Sequence, residues 1–174
     1  MSREISDTFL RLEQALVDAG VPAEVTRNVK GYDLKSCGAV NVLVNTGIDA
    51  APFAGVLIEY APKLTDPDEI GFVARCMMQA KGFADAVPWL LSLFAGYPAN
   101  GLSESELWAI GHAIYTINNK TFYADVIAIC RDKQFGRGRQ ILLGTLARAR
   151  GRMAKRSAIC TIRRSMCLNR RRSC

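Results

Sequence analysis

The stretch ADAVPWLLSLFAGYPANGLSESELWAIGHAIYTINN, residues 84–119, decides the fold class. Its first part carries Val87, Trp89, Leu90, Leu91, Leu93 and Phe94, a dense apolar run bounded by Gly96, Pro98 and Gly101. Those three residues break any helix. Ser103-Glu104-Ser105-Glu106 then reads as a capping box, with Ser103 at the cap and Glu106 at the third position. The helix it opens, about 104–117, places Leu107, Trp108, Ile110, Ala113, Ile114 and Ile117 on an apolar face, and Asn118 and Asn119 make a polar exit. The unit is apolar helix, break, capped helix, break.

The same unit recurs on both sides. Upstream, segment 50–61 holds Phe53, Val56, Leu57, Ile58 and Tyr60 and ends at Pro62. Asp66-Pro67-Asp68-Glu69 follows as a helix start: Asp66 caps free N–H groups, Pro67 suits the first turn, and the acids favour the positive end of the dipole. That helix, about 67–80, turns Ile70, Val73, Ala74 and Met77 inward and stops at Gly82. Downstream, 122–132 carries Phe122, Val126, Ile127 and Ile129, and a last helix over about 137–149 buries Ile141, Leu142, Thr145 and Leu146. Aligning Gly55-Val56-Leu57 with Pro88-Trp89-Leu90 and with Asp125-Val126-Ile127 gives spacings of 33 and 37 residues. Two helices per unit at such a period are the signature of an α-solenoid, because one pair cannot bury its apolar face alone. A plain helical bundle with a chance period is the alternative. The expectation is an all-α, α–α superhelix of about three to four helical pairs over residues 1–150.

The N-terminal part is less regular. Ile5, Phe9, Leu12 and Leu16 mark an amphipathic helix over 4–19, closed by Gly20 and Pro22. A turn or short helix follows at 22–30. Residues 33–46 form a weak helical segment ending at Gly47, and the β-branched Val40, Val42 and Val44 leave a strand open.

At 174 residues the chain suits one domain with a real core. Its formal charge of +7 suggests nucleic acid until the charge is located. Arg152, Lys155, Arg156, Arg163, Arg164, Arg170, Arg171 and Arg172 all fall in 151–174, where no acid occurs. Residues 1–150 hold 15 basic and 16 acidic groups, a net of −1. The start, Met-Ser-Arg-Glu-Ile-Ser-Asp, lacks an apolar signal core. The longest apolar stretch, Ala86 to Ala95, is half of the ~20 residues a membrane span needs. A soluble, cytoplasmic protein is expected. Cys37, Cys76 and Cys130 are scattered in apolar patterns, while Cys160, Cys167 and Cys174 recur every seven residues. None has CxxC spacing, so structural thiols are expected rather than zinc or disulfides.

Chemistry-bearing residues are few. His112 is the single histidine, with no paired Cys or His nearby and no G-x-S-x-G elbow in the chain. Gly136-Arg137-Gly138-Arg139 lacks the last glycine of a dinucleotide loop and reads as a tight turn into the final helix. Asp66, Asp68, Glu69, Glu104 and Glu106 are explained by helix capping. Trp89 and Trp108 read as core. No catalytic, cofactor or metal residues are expected, and no cofactor.

Two motifs carry a family resemblance. Leu43-Val44-Asn45-Thr46-Gly47 followed by Ala54-Gly55-Val56-Leu57-Ile58-Glu59-Tyr60, and later Ile127-Ala128-Ile129-Cys130-Arg131-Asp132-Lys133-Gln134-Phe135-Gly136-Arg137-Gly138-Arg139-Gln140-Ile141-Leu142, resemble segments of small bacterial HEAT-repeat proteins. Phe135 stands where that pattern has Tyr, and Gly138 where it has Ala. The resemblance covers about residues 34–150 and implies a protein-binding scaffold without enzymatic activity. It also implies that Arg139 links neighbouring turns, with Asp132 or Asp125 as partner. Residues 151–174 depart from it. They are read as a disordered or aberrant tail, an out-of-frame or truncated end. The competing reading is a basic arm for nucleic acid or acidic partners.

Two functions follow. One is a non-catalytic scaffold whose second helices (67–80, 104–117, 137–149) form a concave face, with Arg75, Gln79, His112, Asn118, Arg137 and Arg139 as binding candidates for a protein partner. The other is a nucleic-acid-binding α-solenoid such as a HEAT-like DNA glycosylase. That function needs a basic groove and an acidic catalytic residue, and the −1 balance opposes it. No membrane partner is expected.

Overall fold

A computed structural model describes residues 5–22, 38–79 and 81–147. The readings for 22–30 beyond Pro22 and for the tail 151–174 lie outside them. The described residues are helical throughout, with no strand. The helices are α1 (Asp7–Asp18), α2 (Ala39–Asn45), α3 (Ala54–Tyr60), α4 (Pro67–Cys76), α5 (Val87–Ala95), α6 (Glu104–Ile117), α7 (Tyr123–Arg131) and α8 (140–147). The strand alternative for 40–44 is thereby overturned. Val40, Val42 and Leu43 are buried on a helix, where tertiary packing outweighs β-branched propensity.

Local chemistry sets the starts. Ser6 caps α1 by accepting from the Phe9 N–H at 3.1 Å. Asp66 accepts from the Asp68 and Glu69 N–H groups at 2.9 and 3.3 Å, with Pro67 in the first turn. Ser103 and Glu106 close the capping box of α6. Helix α2 has only Gly38 at its cap, which carries no side chain. Glu13 of α1 supplies the missing acceptor: its carboxylate takes the Ala39 N–H and, at 3.2 Å, the Val40 N–H. A Cβ at position 38 would overlap that carboxylate, so a larger residue there would displace Glu13 from the cap.

Three helices open the same way. Short 3₁₀ turns at Ala51–Phe53, Ala84–Ala86 and Lys120–Phe122 lead directly into α3, α5 and α7. The partner helices follow: α4, α6, and, after a tight run at Lys133–Arg139, α8. Helix α1 packs on α2 and α3, α2 on α4, α4 on α6, and α6 on both α5 and the 133–139 run. One apolar cluster joins them, including Phe9, Leu12, Leu43, Leu57, Val73, Phe83, Leu90, Phe94, Leu107, Ile110 and Leu142. Burying each such side chain contributes roughly 1.5–3 kcal/mol.

Three expectations need correction. Trp108 is not core: it is 43% exposed, while Leu107 and Ile110 beside it are fully buried. The register of α6 turns its apolar arc toward 107, 110 and 114, leaving 108 outside. The chain breaks at Gly136, with φ 45° and ψ −124°, and residues 137–139 then form a 3₁₀ turn, so the α-helix proper begins at 140. Capping also does not account for Glu69. It is 2% exposed and accepts from the Ser6 N–H at 2.8 Å and the Ser6 hydroxyl at 2.7 Å. Its carboxylate therefore ties the start of α1 to α4 across 63 residues of chain.

Candidate binding surface

Helix α6 has neighbours on two sides. Gly71 of α4 lies so close that a Cβ there would meet Glu106 Cγ at 2.6 Å. On the other side a Cβ at Gly111 would meet the Gly138 carbonyl oxygen at 2.5 Å. Between these contacts runs the solvent-facing strip of α6. It carries Trp108, His112 and Tyr115, spaced by four and three residues as one helix face requires. The Trp108 and His112 rings are 5.2 Å apart between centroids, and His112 and Tyr115 are 6.1 Å apart. Tyr115 lies over α8, where a Cβ at Gly144 would approach its ring at 2.9 Å. Leu143 of α8 is 51% exposed.

His112 is half-buried, and that burial pushes its imidazole below the usual 6.5, so the ring is neutral at neutral pH. Its Nδ1 lies 3.3 Å from the Thr116 hydroxyl, which also donates to the His112 carbonyl at 2.8 Å. No carboxylate bonds the imidazole among the described residues. The ring's neighbours are the Thr116 hydroxyl and the flanking Trp108 and Tyr115 rings, so it presents an aromatic face with a polar edge.

The other sequence candidates divide by what their side chains hold. Gln79 is committed to the chain itself: its Oε1 accepts from the Ala50 N–H at 2.7 Å, and its Nε2 donates to the Ile48 carbonyl at 3.1 Å and toward the Leu43 carbonyl at 3.4 Å. Asn118 adopts the left-handed conformation, φ 51°, that closes α6, and its Oδ1 accepts from the Tyr123 hydroxyl at 2.8 Å. Arg139 donates to the Cys130 carbonyl at 2.9 Å, so it ties the 133–139 run to α7 through a backbone oxygen rather than through Asp125 or Asp132. Arg75 sits with its guanidinium carbon 5.6 Å from the Phe72 ring centroid. Arg137 is exposed. Gln79 and Arg139 thus hold backbone groups and Asn118 holds the Tyr123 hydroxyl, while Trp108 and Tyr115, absent from the sequence candidates, join His112 on the open strip.

The two thiols among the described residues, Cys76 and Cys130, are both buried. Cys76 is fully buried with its Sγ 3.8 Å from the Val40 carbonyl, and burial pushes its pKa up to about 12. Burial raises that of Cys130 as well. Both stay protonated at neutral pH, and the thiolate is the reactive form. Among the described residues no three metal-ligating side chains cluster, and no helix is long and apolar enough to cross a membrane.

A second feature escaped the sequence. Pro88, Leu91, Ser92 and Ala95 of α5 and Asp125, Ala128 and Ile129 of α7 line a groove of about 470 Å³, together with Asp132 and Phe135. Phe135 is held there edge-on against Phe94, with centroids 5.2 Å apart. The legible signal was the run of small side chains, Ser92, Ala95 and Ala128, at helical spacing on two successive first helices. Comparison with protein-family models, with curated proteins and with solved structures returns no match.

Proposed function

We propose that this chain is a non-catalytic scaffold of the HEAT-like solenoid kind, binding a protein partner through the open strip of α6 and its flanks. The observation that carries this is Trp108: a large indole, 43% exposed, on a helix whose neighbouring side chains are fully buried. Exposing so much apolar ring costs solvation that a partner recovers, and Trp and Tyr dominate binding energy at protein interfaces. The order α2 on α4 on α6, with a 3₁₀ turn opening each of α3, α5 and α7, supports stacking of like units. The nucleic-acid reading gains no support from the groove between α5 and α7, whose two charged lining residues are both aspartates.

The test is affinity capture with the full chain and with Trp108→Ala. A partner retained by the wild type and lost by a folded Trp108→Ala supports the scaffold reading. Identical capture by both overturns the placement of the site. Duplex DNA is titrated in parallel at two salt concentrations, into the wild type and into a variant with the eight basic side chains of 151–174 changed to Gln. Tight, salt-sensitive binding that survives the change overturns the scaffold reading in favour of nucleic acid.

A further inference from the structure

The groove between α5 and α7 is separate from the strip on α6 and makes a different demand on an occupant. Its walls are mostly apolar: Pro88, Leu91 and Ala95 of α5 and Ala128 and Ile129 of α7, together with Phe135. Its volume is about 470 Å³, and it is an open groove rather than an enclosed cavity. Its two charges are both negative, and no Lys or Arg lines it. Asp132 is partly engaged, accepting from the Gln134 N–H at 3.0 Å and the Gln134 side-chain amide at 2.8 Å. Each carboxylate oxygen accepts more than one hydrogen bond, so Asp132 keeps acceptor capacity. Asp125 is exposed and lies on the wall of α7 itself. Seven residues separate the two, which on a helix is roughly 10 Å, or two turns.

We propose that this groove docks an amphipathic helix from another protein, one that carries two Lys or Arg side chains two turns apart with apolar residues between them. The apolar side chains enter between α5 and α7, and the cations meet Asp125 and Asp132. Charge complementarity chooses this occupant over a neutral or acidic one, because an acidic helix would place like charges together at the groove wall. The docking mode is helix-in-groove, with anchors at helical spacing. It does not rest on the role given to Trp108, and its variants leave α6 untouched.

The probe is a helix-forming peptide of about 15 residues with Leu anchors and two Arg seven residues apart. Its twin carries Gln in place of both Arg. Binding to the full chain is followed by fluorescence anisotropy of a neutral dye on the peptide. The Arg peptide is expected to bind saturably and about tenfold or more tightly than the Gln twin. Asp125→Lys should erase that preference. Ala128→Trp, which fills the groove from an exposed position, should weaken both peptides. Circular dichroism melting establishes that each variant is folded. Absence of saturable binding overturns the proposal, as does an Arg preference that survives both substitutions.

Discussion

Trp108→Ala separates two pictures of α6 by magnitude. A tryptophan enclosed in a core costs about 3–5 kcal/mol when cut to alanine. Here a little over half of the residue is covered, since it is 43% exposed. Scaling the cost to that covered fraction leaves about 2–3 kcal/mol. Alanine returns a few tenths through its better helix propensity. The expected loss is therefore near 2 kcal/mol, below the roughly 2–5 kcal/mol expected for Leu107→Ala one residue earlier, where the side chain is fully buried. Urea unfolding followed by far-ultraviolet circular dichroism measures both, and equal m-values license the comparison. Emission gives an independent check. Trp108→Phe should remove a red-shifted, readily quenched component and leave the more enclosed Trp89. A cost for Trp108→Ala above about 4 kcal/mol would place the ring in the core and refute the exposed strip. The same result would remove the observation on which the scaffold proposal stands.

Other perturbations address the joints. Glu69→Ala removes two hydrogen bonds to a buried carboxylate and should cost about 2–4 kcal/mol in urea unfolding, more than Ser6→Ala; a loss under about 0.5 kcal/mol would show the tie to be idle. Glu13 is pushed above its usual 4.5 by burial, against the opposing pull of the Val40 and Ala39 N–H groups. The folded state thus holds this proton more tightly than the unfolded chain, so its contribution is full below pH 4.5 and is lost as pH rises through the raised value. Glu13→Gln should flatten the fall in unfolding free energy as pH rises above 4.5, and parallel pH profiles for the two proteins would contradict the assignment. Gly111→Ala gains about 1 kcal/mol of helix propensity, yet its new Cβ would stand 2.5 Å from the Gly138 carbonyl oxygen. A net loss of about 1–3 kcal/mol is expected, and a rise in melting temperature would refute the close approach.

The helices themselves were legible because their signals are local. Asp66, Ser103 and Glu106 cap as their spacing implies, and Ile70, Val73, Leu107, Ile110 and Leu142 are buried as their periodicity requires. What stayed hidden depends on how helices meet. Periodicity places an apolar side chain on an arc of the helix but does not say where the arc ends, and Trp108 falls just past that edge. Glu69 shows the same limit for polar residues. Its position three residues after Asp66 explains a place in the first turn, but the Ser6 donors that bury it arrive from 63 residues away. Gln79, Asn118 and Arg139 looked available as polar residues near helix ends. Gln79 and Arg139 are consumed by backbone groups, and Asn118 by the Tyr123 hydroxyl, that the folded chain brings within reach.

The glycines connect the two candidate surfaces physically. Alanine is the better helix former by about 1 kcal/mol, so Gly71 and Gly111 inside helices call for a reason in packing. The reason is contact: missing Cβ atoms let α4 reach Glu106 and let α6 reach the backbone at Gly138. A Cβ at Gly138 would stand 2.7 Å from Leu107 Cβ, so alanine does not fit this spacing. Helices α5 and α7 touch far less than α4 and α6, and the groove lined by Leu91, Ala128 and Ile129 lies between them. The close contacts at Gly71 and Gly111 hold α6 by both flanks and leave its outer strip to Trp108, His112 and Tyr115, while the run containing Gly138 carries Phe135 into the groove. Enlarging Gly111 or Gly138 should therefore disturb both surfaces, whereas Asp125→Lys and Trp108→Ala should each disturb one.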